Sequence, residues 1–529
     1  MTAKTMETGE GKDTKYDYEK DDISRTKTQI QSVSQEPLYE EGSIDPEYQA
    51  KAQLLNDAIQ AMGMGRYQWY LFFVAGFGWF ADSVWPLLGG LILAPVVSEF
   101  RFQGPFLSLA MNIGLFVGAV FWGLGCDIWG RRWSFNITLL IAGVFGLSSG
   151  GAGNFVTLAS LLAVMGIGVG GNLPVDSAVF LDFVPGTHQY LLTILSIWWS
   201  LGQLFVNLIA WPLIANLSCP QDSTSCSRTD NMGWRYLLFT LGGVTLLLWA
   251  FRFFVFHLEE SPRYLVGKGN DEAAVAVIHR IAKFNGTTSD LTVDQLVHVG
   301  EEARKKYGIQ DTGKSKVLSQ SSDWSIDHVK ALFKTRKMAW STSLLIALWG
   351  IIGLASTLYN NFLPYLLASR GAHFGDNSYY IAYRNQVILS VIGVPGAFLA
   401  GWAVEQRYIG RKGTLAISAG LTGVFLFAST TARSSNALLG WNCGYAFHSN
   451  IMYGVLYAIS PEIFPAKDRG TGNGLTATAT RVFGIIAPVI ALYANLQTAV
   501  PVYVSGALII GSGLLALFLP YEPRGKASI

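Results

Sequence analysis

Twelve apolar runs, each near the length a helix needs to cross a bilayer, constrain this chain more than any other feature. They fall near 68–93, 105–126, 133–150, 155–181, 190–215 and 234–257, then 340–366, 380–404, 413–432, 437–459, 471–494 and 500–519. About 20 apolar residues span the hydrocarbon core, and a soluble fold has no use for twelve such segments. Only 14% of the 529 residues are charged, against about 25% in soluble proteins, and mean hydropathy is +0.33. The expected class is an all-α polytopic membrane protein of two six-helix bundles.

The polar remainder divides the chain. Residues 1–50 are rich in charge, Ser, Thr and Gln and are expected to be a disordered tail. Residues 51–257 form the first bundle, opened by a juxtamembrane helix in which Leu54, Leu55, Ala58, Ile59 and Met62 recur at helical spacing. That pattern predicts an amphipathic helix lying on the membrane. Residues 258–339 read as a linker with short helices, 340–519 as the second bundle, and 520–529 as a tail.

Basic residues set the expected orientation. Arg131, Arg132, Arg407, Arg411, Lys412, Lys467, Arg469 and the basic 258–339 segment fall on the side that also holds both termini. By the positive-inside rule that side is cytoplasmic, and the plasma membrane is the default location. Net charge of +2 points to no nucleic-acid partner, because the basic residues cluster at span ends. No cleavable signal is visible, so the first span is expected to direct insertion. The Cys219 to Cys226 loop then lies outside, where a disulfide and a glycan on Asn216, in Asn216-Leu-Ser218, are both allowed.

Two short turns repeat between the halves. Gly123-Leu-Gly-Cys-Asp127-Ile-Trp-Gly130-Arg131-Arg132 joins two apolar runs, and Gly401-Trp-Ala-Val-Glu405 leads to Gly410-Arg411-Lys412 in the corresponding place. This duplicated signature resembles the major facilitator superfamily. Glu260-Ser-Pro-Arg263-Tyr-Leu and Pro461-Glu462-Ile-Phe-Pro465, followed by Arg469 and Gly472, resemble elements of its sugar-porter-type members. The run from Ala58 through Arg66 to Trp79-Phe-Ala-Asp82 is similar to the opening segment of transporters related to the synaptic vesicle glycoproteins. The resemblance implies a twelve-helix transporter, and a charge network of Asp127, Arg131, Arg132, Glu405, Arg411, Glu462 and Arg469 closing a cytoplasmic gate. Two departures stand out. Leu162 occupies the place of an arginine common in the fourth span, and Gln189 occupies that of the arginine matching Arg469.

A carboxylate kept in hydrocarbon costs a few kcal/mol, so it usually faces the bundle interior. Asp82 lies about 14 residues into the first span and matches an acid that many proton-coupled members use, so it is the expected proton carrier. Asp176, in Asn172-Leu-Pro174-Val-Asp176, is a second intramembrane acid for which a gate or ion-pair role stands beside proton transfer. Asn172 is the expected substrate contact in that helix. In the second half, Arg481 lies mid-span in Thr476-Ala-Thr-Ala-Thr480-Arg481. A guanidinium cannot discharge, so it needs an acid of the protein or an incoming anion. Arg384, His448, Asn360 and Asn361 add polar groups that would line a cavity.

The expected function is alternating-access transport of a small polar solute, coupled to protons, with an organic anion preferred and a sugar or polyol as the alternative. The protein is expected to act as a monomer in the bilayer without cofactor. A membrane sensor using the polar tail is the competing class. Enzyme chemistry finds no support: there is no Cys/His metal spacing or nucleophile elbow, and Gly166-x-Gly168-x-Gly170 lies inside a span as helix packing.

Overall fold

A computed structural model describes residues 45–219, 226–307, 327–374, 379–465, 467–493 and 500–523. The expected tail 1–50 therefore lies mostly outside the described residues, as do 308–326 of the linker and 524–529. Among the described residues the chain is helical throughout, without a strand. The first six spans are α2 (Arg66–Phe100), α3 (Pro105–Trp129), α4 (Arg131–Ser149), α5 (Phe155–Phe183), α6 (Ser196–Leu217) and α7 (Gly233–Ala250), following α1 (Pro46–Met62). Three short helices, α8 (Pro262–Gly267), α9 (Asp271–Asn285) and α10 (Val293–Lys306), then precede α11 (Asp327–Ala331). The second six are α12 (Arg336–Phe374), α13 (Tyr379–Val404), α14 (Gly410–Ser429), α15 (Ser435–Ile463), α16 (Arg469–Tyr493) and α17 (Val500–Ala516).

Large apolar side chains such as Phe73, Val156, Leu247, Trp402 and Leu514 point outward and exposed. In water such a shell would be untenable; around a bundle of spans it is the surface that meets lipid. Inside each bundle the helices approach closely because small residues let them. A Cβ at Gly166 or Gly170 in α5 would press on the α3 backbone at Met111 and Leu115, and one at Gly168 on the α4 backbone at Thr138. The glycine run is thus the packing seam its spacing suggested. Between the bundles, α3 meets α16 and α6 meets α13. At the first of these contacts Gly123 and Gly474 oppose one another so nearly that neither has room for a side chain.

Helix α2 outruns its apolar stretch, continuing to Phe100 past Pro95. It can do so because Glu99, near its end, is gripped by Arg235 at 2.7 and 2.9 Å and accepts from Asn231 and Trp234. The face bearing this staple also holds the Cys219–Cys226 disulfide. We call it the far face, and the one bearing α1 and α8 to α10 the linker face.

Helix α1 departs from expectation twice. It begins at Pro46, inside the stretch expected to be tail, because Asp45 accepts from the Glu47 N–H and caps it. It also does not offer its apolar face to lipid. Tyr48, Ala52, Leu55 and Ile59 are buried in one cluster with Val266, Ala274, Ile278 and Leu296 of the linker helices and Leu291 between them. Ion pairs from Lys51 to Asp271 and from Arg304 to Glu47, each 2.6 Å, frame that contact. The linker helices supply a matching apolar face, which sequence periodicity on α1 alone cannot reveal. Leu55→Ala should therefore lose about 2–5 kcal/mol of local stability. The expected readout is faster proteolytic nicking between α1 and α2 together with a lower thermal midpoint; a helix resting on lipid would show neither.

Candidate functional site

Where the bundles meet, a small cavity of about 30 Å³ is lined by Asp82 from α2, Ser177 from α5, Trp349 from α12, Tyr457 from α15 and Arg481 from α16, among others. Asp82 and Arg481 thus face one space from opposite bundles. Asp82 is 1% exposed, and neither its Oδ1 nor Arg481 Nε has a hydrogen-bond partner among the described residues. On α16 the polar residues Asn473, Thr476 and Thr480 join Arg481 along one helical stripe facing the cavity. Their spacing in an otherwise apolar span was the signal for this wall. Two aromatic rings line the space, Tyr457 and Trp349, 4.5 Å apart between centroids, and Trp79 and Trp199 pack against Tyr457 at 5.3 and 5.4 Å.

The other expected contacts lie elsewhere. Asn172 and Asp176 are fully buried in the first bundle and do not line the cavity. They share the face of α5 turned away from Gly170, Leu173 and Ser177. Asp176 is paired with Arg252, whose Nη2 donates to Oδ2 at 2.7 Å, so the ion-pair alternative describes its contacts. Arg252, in the π-helical turn Phe251–Val255 that ends the sixth span, also donates to the Val74 and Phe135 carbonyls. It was missed because a basic residue near a span end reads as snorkelling. His448 Nδ1 donates to Gly444 O and the ring stacks on Phe425 within the second bundle, so it is a packing residue. Asn360 is exposed and accepts from Tyr445 Oη, and Arg384 donates to its neighbour Asn385. Neither they nor His448 line the cavity. The side chain of Asn361 lies outside the described residues. Asn216 sits in the last turn of α6 with its amide on Pro212 O.

The linker face carries two related charge clusters. In the first half Arg131 pairs with Asp127 and Asp182, while Glu260 accepts from the Arg131 and Arg132 N–H groups and caps α4. In the second, Arg411 grips Glu462 at 2.6 and 3.0 Å and reaches Glu405, while Glu522 caps α14 through the Arg411 and Lys412 N–H groups. The backbone N–H of Arg132 takes part; its guanidinium forms no ion pair among the described residues. Asp182 and Glu522 escaped the sequence reading, although Asp182 stands three residues before Pro185 as Glu462 does before Pro465.

Two contacts lock the bundles together at this face. Arg469 of α16 donates to Asp182 Oδ1 at 3.1 Å, and Thr471 donates its N–H to Asp127 Oδ2 at 2.8 Å. Beside them His328 of α11 meets Asp468, Nδ1 to Oδ1, at 2.6 Å. The hydrogen bond to Asp468 holds the His328 pKa above its ordinary value, aided by Asp127 and opposed by burial and Lys467.

Residues 101–522 match the family described as sugar (and other) transporter. The chain is 77% identical over 492 residues to a Ceriporiopsis subvermispora protein named MFS siderochrome iron transporter 1, covering 93% of this chain and 94% of that one. It is 26% identical over 499 residues to the rat synaptic vesicle 2-related protein, covering 90% of this chain and 82% of that one. Its fold matches a solved proton:xylose symporter, XylE, with a TM-score of 0.66 at 18% identity, over 87% of this chain and 98% of that one.

Asp182→Asn leaves Arg131 and Arg469 buried without their shared counter-charge, a loss of about 3–5 kcal/mol. Cys126 lies under Gly470 at the same contact. In a Cys443→Ser background, maleimide should label Cys126 at least about tenfold faster in Asp182→Asn as the linker face opens. The His328 pair has the opposite pH dependence to a carboxylate. Its stabilisation is complete below the free histidine pKa of about 6.5 and is lost as pH rises through the raised folded value. The gap in thermal midpoint between wild type and His328→Gln should thus be widest near pH 6 and close in alkali.

Proposed function

The chain belongs to the sugar (and other) transporter family of the major facilitator superfamily, and from that premise we propose that it carries a small organic anion across the membrane by alternating access, coupled to protons through Asp82. One observation carries this reading: Asp82 and Arg481 face a single inter-bundle cavity with polar atoms left unpartnered. A guanidinium that cannot discharge needs a negative partner, and a carboxylate offers it two parallel charge-assisted hydrogen bonds. With the site empty, the Asp82 carboxylate supplies part of the counter-charge across the cavity. An anion seated on Arg481 takes over that role, so it is bound best when Asp82 is the neutral acid, and proton and anion cross together. The rings of Tyr457 and Trp349 in the cavity wall suit a flat substrate.

The linker-face clusters act in this reading as the gate. They hold the bundles together on that side until the loaded cavity makes opening favourable, and their burial makes the closed state discrete. The distribution of basic residues supports placing that face in the cytoplasm, with the plasma membrane as the site of action.

Two other cargoes have specific support. The stripe Asn473, Thr476 and Thr480 offers the hydroxyl and amide groups that a sugar or polyol needs. The Ceriporiopsis relative's name makes a ferric siderophore the third candidate. Purified protein in proteoliposomes, supplied with radiolabelled nicotinate, succinate, glucose or a ferric hydroxamate siderophore, separates them. A carboxylate should enter faster under an inward proton gradient. Arg481→Gln should raise its KM about 10- to 100-fold, the worth of one to two charged hydrogen bonds. Asp82→Asn should keep carboxylate exchange and lose the gradient effect. Glucose uptake that survives Arg481→Gln would favour the sugar reading, and uptake indifferent to the gradient would remove the coupling.

A further inference from the structure

Asn172 is wholly buried in α5, and neither Oδ1 nor Nδ2 has a hydrogen-bond partner among the described residues. Buried amides are almost always satisfied, so an amide with both ends open calls for a partner that protein atoms do not supply. Its surroundings identify one. Gly78 of α2 lies directly against the Asp176 carboxylate of α5, where any side chain on Gly78 would collide with it. As the first and fourth spans of an alternating bundle, α2 and α5 run antiparallel. One turn from that contact toward the far face, about 6 Å along each helix, brings α2 to Asp82 and α5 to Asn172. The two side chains therefore stand level on neighbouring helices, each on the face that joins Gly78 to Asp176 one turn below.

Among the described residues, Asp82 Oδ1, Asn172 Oδ1 and Asn172 Nδ2 lack partners at this level. An ordered internal water makes two to four hydrogen bonds, and these atoms offer both accepting and donating ends. The layer below cannot serve instead. Asp176 is held by Arg252 at 2.7 and 3.4 Å, and that guanidinium also donates to Phe135 O at 2.6 Å and Val74 O at 2.9 Å, with the Phe135 ring 3.6 Å from its centre. The charges cancel within the pair, and both Asp176 oxygens are already taken by Arg252.

We propose that a water molecule binds between Asp82 and Asn172 inside the first bundle and completes the proton-carrying site, with Asn172 as its positioning residue. The Asn172 amide N–H donates to this water, and Asn172 Oδ1 accepts one of its hydrogens. On loading, a proton from solvent forms one O–H bond on the Asp82 carboxylate, and the resulting neutral acid donates that hydrogen to the water. On release the O–H bond breaks, the proton leaves to solvent, and the water turns to donate a hydrogen to the carboxylate. The charged or titratable groups facing Asp82 are Arg481 from α16, Tyr457 from α15, and the Asp176–Arg252 pair from α5 and the π-helical turn; α6 brings none. This inference rests on the reading of Asp82 as the proton carrier.

Dicyclohexylcarbodiimide, which modifies a buried carboxyl in its protonated form, tests the site without knowledge of the cargo. The full-length protein is labelled from pH 5 to 9 and modification of Asp82 is followed by mass spectrometry. Asn172→Leu should move the labelling midpoint by about one pH unit or more, since it removes the water's partners. Asn172→Ser, which keeps a hydroxyl and room for water, should bring the midpoint back toward wild type. Thr240→Val, on the exposed face of α7, should leave it in place. Should Asn172→Leu fail to fold, Asn172→Ala against Asn172→Ser makes the same comparison. A midpoint unmoved in both apolar variants overturns the bound water and leaves Asp82 as carrier. Wild-type labelling that ignores pH removes the carrier reading and this inference with it.

Discussion

Hydrocarbon offers no hydrogen bonds, so each charge that this chain carries inward must find its partner in protein, and the architecture follows from how those partners are shared. Asp182 is the clearest instance. It is wholly buried at the end of α5 and bound by Arg131 from its own bundle and by Arg469 from the other. Both arginines share it, and the bundles could not separate at the linker face without dividing that cluster. A single carboxylate thereby ties local helix packing to the contact that must break for a cavity to open.

The two halves solve the same problem with the same parts. Each uses an arginine at the start of its third span, an acid at the end of its second and an acid at the end of its fourth. A glutamate from beyond its sixth, Glu260 or Glu522, seals the first turn of the third. The halves differ in how they use those parts. Asp182 reaches across to Arg469, whereas Glu462 stays with Arg411 inside its own bundle. The link between bundles is therefore one-sided. The glutamine at 189, in the place that matches Arg469, fits that asymmetry.

The centre of the molecule obeys a different rule. Asp82 and Arg481 are neither paired at contact distance nor fully satisfied, and the aromatic rings around them leave space instead of filling it. An unsatisfied polar group in a membrane interior costs stability, and that cost is the ground on which the proposed site rests. The Asp176–Arg252 pair in the same bundle shows the contrast: two charges equally deep, joined directly, with both Nη groups of the guanidinium also donating to carbonyls.

The spans were legible because lipid imposes a length and a polarity on each segment separately, and the twelve helices follow the apolar runs to within a few residues apart from over-runs such as Phe100. Asp82 and Arg481 were legible for the same reason, being ionisable groups in the middle of such runs. Pairing was not legible. That Asp176 belongs to Arg252, that Asn172 and His448 turn away from the cavity, and that α1 covers the linker helices instead of lipid depend on which faces of distant segments meet. Periodicity marks a face but not its occupant. The sequence by itself determined the number, length and duplication of the spans, since each must satisfy the bilayer alone; only the tertiary structure decided which buried charges cancel and which stay open, because that is a property of pairs of helices brought together by packing.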